Sequence, residues 1–374
     1  MGIGRRGALA LSVLAVAAML AAASGGVSAR AGFGVKVSGN HLTTLAGRTI
    51  RLLGVNRSGA EYMCTNPNAN SVFDGPTSAA SIATIKSWHV NAVRVPLNED
   101  CWLDINGANP RLSGAPYRAA VERYVRALNA AGLYVILDLH WAAPGANLPT
   151  AEWLMADEDH SPSFWESVAN RFKTDRGVVF DLFNEPHVSW PCWRDGCTTT
   201  YTLPSGANVT YRTAGMQQLV DLVRSTGAAN PIMLGGNSWG TDERQWANYE
   251  PADPDHQLIV SFHSYPTECD SVSCWNTTVA PLANKTPVVT GEFGEGDCKA
   301  TYALRYMRWA DAHHISYLAW AWDATDRGWS CDGPALIVDY NGKPTGYGIG
   351  VKSHLDELWR RHLLVRGASA HFVK

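Results

Sequence analysis

The stretch Val178–His187, VVFDLFNEPH, is an apolar run that ends abruptly in Asn, Glu, Pro and His. A strand buried on both faces reads as a near-continuous apolar run, and its first polar residues mark where it leaves the core. Asn184 and Glu185 therefore stand where a buried strand opens outward. Seven further segments of this kind are visible: TIRLLGVN (49–56), NAVRVPL (91–97), YVILDLH (134–140), PIMLGG (231–236), LIVSFHSY (258–265), PVVTGEF (287–293) and SYLAWAW (316–322). Between them lie longer segments with helical periodicity, SAASIATIKSW (78–88), YRAAVERYVRALNAAG (117–132), SPSFWESVANRF (161–172), YRTAGMQQLVDLVRSTG (211–227) and ATYALRYMRWADAHH (300–314). In the second of these, Ala119, Ala120, Val121, Tyr124, Val125 and Leu128 supply the apolar stripe, and Gly132 stands where a helix would stop. VKSHLDELWRRHLL (351–364) reads as a closing helix.

Eight strands alternating with helices predict an α/β fold with parallel strands joined by crossovers. Closure into a (β/α)8 TIM barrel explains why the count stops at eight. An open doubly wound sheet would favour a Gly-rich phosphate turn after the first strand, and GVNRSGAEY (54–62) offers none. No internal repeat or Pro/Ser/Thr-rich linker interrupts the pattern.

The start of the chain reads differently. Arg5 and Arg6 precede ALALSVLAVAAMLAAA (8–23), and VSA (27–29) places small residues where a signal peptidase cuts, so residues 1–29 are expected to be a secretory signal peptide. The apolar run is short for a membrane anchor, which needs ~20 residues. Removing it from 374 residues leaves 374 − 29 = 345, residues 30–374, the size of one barrel domain. Net charge is −3, with no basic run, which argues against nucleic acid or an anionic membrane as partner. All 8 cysteines follow the leader, and in an oxidising compartment an even number suggests disulfides. The favoured pairs are Cys192–Cys197 and Cys269–Cys274, with Cys64–Cys101 and Cys298–Cys331 following. Structural zinc would need CxxC or His spacing that is absent.

In such barrels the chemistry gathers at the carboxyl ends of the strands. Those ends carry Arg94, His140, Asn184 with Glu185, His263 with Tyr265, Glu292, and Trp320 with Trp322. Glycosidic bond cleavage needs two carboxyl groups, one protonated to donate to the leaving oxygen and one ionised to attack the anomeric carbon or activate water. Glu185 and Glu292 end the fourth and seventh strands, across the mouth from each other. A separation of ~5–5.5 Å would mean retention of configuration. Glu295 is the neighbouring carboxylate that competes with Glu292 for the role, but it lies beyond the strand end.

FNEP (183–186), with VRVP (93–96) before it and HSY (263–265) and GEF (291–293) after it, resembles glycoside hydrolase family 5, and the likeness spans nearly all of the chain after the leader. The resemblance implies that Glu185 is the general acid/base and Glu292 the nucleophile, that Arg94 supports the nucleophile, that His140 and His263 line the sugar subsite and the carboxylates, that Tyr265 contacts the nucleophile, and that Trp320 is the sugar platform at the cleavage point. Asn184 is placed to hold the sugar's 2-hydroxyl. Trp322 is expected on the same strand face as Trp320, because side chains alternate. No metal or organic cofactor is expected, since the histidines lack the close spacing of a ligand cluster.

The chain has 15 Trp. Trp88, Trp165 and Trp309 fall on helical stripes and read as core, whereas Trp141, Trp190, Trp193, Trp275 and Trp329 fall in or beside mouth loops, where packing and sugar binding compete. The long loop VSWPCWRDGCTTTYTLPSGANVT (188–210) is expected to wall the cleft. The expected activity is a secreted, monomeric retaining glycosidase acting on β-linked oligo- or polysaccharide. An endo-β-1,4-glucanase comes first, with β-mannanase and exo-β-glucanase next and a non-catalytic carbohydrate-binding barrel as the rival class. Sequons at Asn56, Asn208, Asn276 and Asn284 would matter only in a glycosylating host.

Overall fold

The computed structural model describes residues 1–2, 32–325 and 333–370, with side chains through residue 361. Residues 3–29 of the expected leader, 1–29, and Cys331, the partner in the Cys298–Cys331 pairing, lie outside the described residues, as does Trp329.

Eight parallel strands close into a barrel in chain order: Leu53–Asn56, Ala92–Asn98, Tyr134–Trp141, Val178–Asp181, Ile232–Gly235, Leu258–Ser264, Val288–Phe293 and Ser316–Ala319. Each of the eight apolar segments supplies one of them. The fold is thus the (β/α)8 barrel read from the sequence, with helices Ala79–Lys86, Ala115–Ala130, Ser161–Phe172, Met216–Ser225, Thr301–Ala312 and Gly346–Ala370 on the expected segments. Gly132 adopts φ +81° just beyond the helix that it was expected to end.

Strand alternation sorts the apolar residues into two bodies. Val178 and Phe180 face outward and pack with Trp165 and the helices. Val179, Ile136, Met233, Ile259, Val289 and Leu318 form a second cluster inside the lower barrel. All of them are buried, so the barrel is a packed core and not a pore. A three-stranded antiparallel sheet, Val35–Ser38, His41–Thr44 and Thr49–Ile50, adds Val35 and Leu42 to that inner cluster. Phe33 stacks on Tyr134 at 4.9 Å, so the sheet covers the amino ends of the strands.

The loop after the fourth strand is more ordered than expected. It contains a helix, Trp190–Asp195, and a hairpin, Thr198–Thr202 with Asn208–Arg212. Disulfides join Cys64–Cys101, Cys192–Cys197 and Cys269–Cys274, as paired from the sequence.

Candidate active site

Above the apolar layer the inward positions become polar. Arg94, two residues above Ala92, is fully buried. It meets three carboxylates: Asp138 Oδ1 at 3.0 Å, Asp181 Oδ2 at 2.9 Å and Glu292 Oε1 at 2.7 Å. It also donates to Asn56 Oδ1 at 3.1 Å and Asn184 Oδ1 at 2.8 Å. Burial opposes the charge of Arg94, but Asp138, Asp181 and Glu292 outweigh it, so the guanidinium's pKa is raised. Asp138 and Asp181, the two partners that anchor it, were not singled out from the sequence. Their signal was present, because Asp138 lies two residues before His140 and Asp181 two after Val179, on inward-facing positions.

Glu292 reaches the mouth because its strand is irregular. Along this strand Val289 points inward and Thr290 outward, with its hydroxyl on Tyr306. Regular alternation would then place Gly291 inward and Glu292 outward. The pairing slips here: Phe262 faces Thr290 and His263 faces Glu292, so Gly291 is an extra residue. The bulge turns Glu292 back over the barrel. Gly291 permits it, since a Cβ there would lie 3.0 Å from Ser261 Oγ and 3.1 Å from His263 Nε2.

The other expected residues converge on the same place. Tyr265 donates its hydroxyl to Glu292 Oε2 at 2.8 Å. His263 Nδ1 lies 2.7 Å from Glu185 Oε1. His140 Nδ1 donates to Asp138 Oδ2 at 2.7 Å, and its ring stacks on Trp320 at 5.1 Å and 7°. The amide N–H of Asn184 donates to Leu139 O at 3.0 Å, which keeps the chain extended beyond the fourth strand until the side chain enters the mouth. Trp322 is the exception. The strand ends at Ala319, so alternation does not govern the two tryptophans. Trp322 is 1 % exposed and packs edge-on to Trp88, so it supports the wall and offers no face to a sugar.

Oxygens of Glu185 and Glu292 and a ring nitrogen of His263 lie within 4.8 Å of one another. The two carboxyls are driven in opposite directions. Burial and then the charge of Glu292 push Glu185 up to about 7. Burial pushes Glu292 up as well, but His263, Arg94, His140 and the Tyr265 hydroxyl override it and hold it at about 2. Between about 2 and about 7 one carboxyl keeps a proton while the other is ionised. His263 is held below the usual imidazole range by burial. Asp138 and the charge of Glu292 override burial at His140, which rises to about 9.

Two further residues at the mouth were missed. Glu152, on the loop after the third strand, accepts a hydrogen bond from Asn184 Nδ2 at 2.5 Å. Trp239, after the fifth strand, is 46 % exposed, stacks on His187 at 3.9 Å and donates its backbone N–H to Pro186 O. By contrast, Trp190, Trp193 and Trp275 are buried, and Trp88, Trp165 and Trp309 are core as expected. Glu295 is engaged at the start of the helix Thr301–Ala312, where it accepts from the N–H groups of Tyr302 and Ala303. Asn56 is a sequon only on paper, because its buried side chain donates to Gly291 O and accepts from Arg94.

One other group of possible metal-ligand type is present among the described residues, Glu99, Asp157 and His160. Its carboxylates are already hydrogen-bonded. Ser161 Oγ and the Ala143 N–H donate to Glu99, and the His160 N–H donates to Asp157.

The sequence matches the family Cellulase (glycosyl hydrolase family 5) over residues 55–326. It is 24 % identical over 314 residues to the manganese dependent endoglucanase Eg5A of Phanerodontia chrysosporium, covering 76 % of this chain and 75 % of that one. It is 23 % identical over 331 residues to a mannan endo-1,4-beta-mannosidase of Streptomyces lividans, covering 86 % and 74 %. The fold superposes on beta-glucanase SdGluc5_26A from Saccharophagus degradans in complex with cellotetraose, with TM-score 0.65 at 18 % identity, covering 87 % of this chain and 93 % of that one.

Proposed function

The chain belongs to the cellulase family, glycosyl hydrolase family 5, and is a glycoside hydrolase; from that premise we propose that it is a secreted retaining endo-β-1,4-glucanase, with Glu185 as acid/base and Glu292 as nucleophile. The observation that carries the mechanism is the pair of facing carboxyls within 4.8 Å, one driven up to about 7 and the other down to about 2. That approach is well inside the ~6.5–9.5 Å at which inverting enzymes hold their carboxyls, which favours the double displacement over inversion.

In the first step Glu292 attacks the anomeric carbon. The glycosidic C–O bond breaks, and Glu185 gives its proton to the leaving oxygen. Arg94 and Tyr265 hold Glu292 ionised and aimed. In the second step Glu185 takes a proton from water, whose oxygen replaces Glu292 at the anomeric carbon. Asn184 is positioned for the 2-hydroxyl, where hydrogen bonds strengthen in the transition state. Trp320 presents an indole for the flat C–H face of the sugar at the cleavage point, and Trp239, beside Pro186, does so on the leaving-group side. Export through the leader 1–29 is part of the proposal, and the three disulfides support it.

A β-1,4-glucan is favoured because several curated relatives are endoglucanases and the structural neighbour holds cellotetraose. β-Mannan is the second reading, on the strength of the Streptomyces relative. The test is reducing-sugar release from carboxymethyl cellulose, glucomannan, galactomannan and laminarin by the wild type and by Glu292→Gln. Release from carboxymethyl cellulose by the wild type alone is expected. Comparable release by Glu292→Gln would refute its assignment as nucleophile, and release from galactomannan alone would replace the substrate.

A further inference from the structure

Two tryptophans are exposed among the described residues, Trp239 and Trp359, each 46 %. Trp239 stacks on His187 at the mouth, as Trp320 stacks there on His140. Trp359 has the same backing, for its indole lies on the His89 ring at 4.2 Å and 8°. It stands on the closing helix Gly346–Ala370, in the wall of a groove of about 710 Å³. The groove is bordered by Leu53, Val288 and Ser316, the first residues of the first, seventh and eighth strands. It therefore opens at the amino ends of the strands, whereas Glu185 and Glu292 meet at the carboxyl ends.

A single apolar side chain scattered on a surface needs no explanation, but Trp359 is part of a built feature. The volume beside it falls within the ~300–1,000 Å³ of ligand pockets. Helices in this chain end on left-handed glycines where no side chain is needed, as at Gly132 and Gly227. The turns after Ala79–Lys86 and Thr301–Ala312 instead carry His89 at φ +59° and His314 at φ +56°, a conformation that is costly to a residue with a Cβ. Both histidines line the groove. Asp356, one turn before Trp359, lies 3.5 Å from His89 Nε2 and holds the imidazole against the indole.

Two arginines of the lining are already neutralised, Arg51 by Asp311 at 2.8 Å and Arg361 by Glu357, so the groove offers hydrogen-bonding groups more than net charge. An indole face beside such groups suits a neutral sugar, whose C–H face lies on the ring while its hydroxyls meet the polar rim. We propose that this groove is a second polysaccharide-binding site, in which Trp359 holds a neutral glucan chain away from the cleavage site. The inference rests on the reading of the chain as a β-glucan hydrolase. Anchoring at the amino end raises the local concentration of polymer at the mouth, whereas a short aryl glycoside fills only the mouth and gains nothing.

The test is affinity electrophoresis in native gels containing hydroxyethyl cellulose, a neutral soluble glucan derivative, with Glu292→Gln as the background so that the polymer stays intact. Adding Trp359→Ala should weaken the retardation roughly threefold or more, and Trp359→Phe, which keeps a ring, should restore part of it. With Glu292 in place, Trp359→Ala should raise KM for hydroxyethyl cellulose and leave kcat/KM on an aryl β-cellobioside unchanged, and that intact turnover reports a folded variant. Unchanged retardation, or an equal loss on the aryl glycoside, would overturn the proposal. So would a loss seen with carboxymethyl cellulose and absent with hydroxyethyl cellulose, which marks a charge site. Failure of the β-glucan reading is a separate result: the wild type would then cleave galactomannan and not glucan, and the same comparison in galactomannan gels decides the proposal.

Discussion

Replacing Arg94 by Met removes the charge while roughly keeping the length of the side chain. Three buried carboxylates, Asp138, Asp181 and Glu292, lose their common cation at 2.7 to 3.0 Å. Breaking a buried pair by removing one partner costs ~3–5 kcal/mol. Here one cation serves three carboxyl groups, so the upper part of that range is expected at neutral pH, a shift of roughly a thousandfold in the folding equilibrium at ~1.4 kcal/mol per tenfold. The pH dependence separates this cause from lost packing. In the wild type the depressed Glu292 contributes stability that is fully present above its unfolded value and lost only as pH falls through about 2. Without Arg94 the carboxyls are raised, and Asp181, already pushed to about 7 by burial despite Arg94, takes up a proton first. The deficit should therefore narrow when urea unfolding is repeated at pH ~5. A deficit below ~1 kcal/mol at neutral pH, or one of equal size at both pH values, would refute the assignment of Arg94 as the charge that keeps this layer ionised.

Other outcomes follow from the same geometry. Glu185→Ala should slow cleavage most for aryl glycosides with poor leaving groups, and in the wild type kcat/KM should fall as pH rises through about 7, because the acid loses its proton there. Trp239→Ala should raise KM for long oligosaccharides roughly three- to tenfold, the worth of one aromatic platform at ~0.5–1.5 kcal/mol, and spare aryl glycosides that do not reach it; an equal loss on both would place it outside the leaving-group side. Among the disulfides, Cys64–Cys101 closes a separation of 37 residues and Cys192–Cys197 one of 5. Chain entropy then predicts losses of ~4 and ~2 kcal/mol for the paired Cys→Ala variants, and guanidinium unfolding that reverses the order would count against that account.

All eight strands were legible because a parallel barrel buries both faces of every strand, so each reads as an apolar run whatever its neighbours are. The site residues were legible because polar groups are rare on such strands and cluster where each one ends. What failed was the rule of strict alternation. It would send Glu292 outward, and only the extra residue at Gly291 brings it back; a glycine inside a strand is a recognised sign of such a bulge. The same rule paired Trp322 with Trp320, although the strand stops before both. The hairpin Thr198–Thr202 with Asn208–Arg212 had its own signal, Thr and Tyr flanking a Pro-Ser-Gly turn, but sat inside what read as a loop. Glu152 and Trp239 lie on loops with no periodicity, where contact across the mouth depends on tertiary placement that no local pattern encodes.

The charged layer is costly in stability terms, since well-packed apolar residues of similar volume often do as well or better than buried ion pairs. Its arrangement makes sense through charge balance at neutral pH. Arg94 and His140, the latter raised to about 9, supply two positive charges. Against them stand the carboxyls of Asp138, Asp181 and Glu292, of which Glu292 is held at about 2 and Asp181, at about 7, is the member able to take up a proton. His140 therefore does more than stack behind Trp320: it pairs with Asp138 at 2.7 Å beside Arg94, which faces Glu292 at the shortest of its three carboxylate distances. Trp320 and the ionised carboxylate are joined through one imidazole, so the residue that seats the proposed sugar platform also helps fix the charge on the proposed nucleophile.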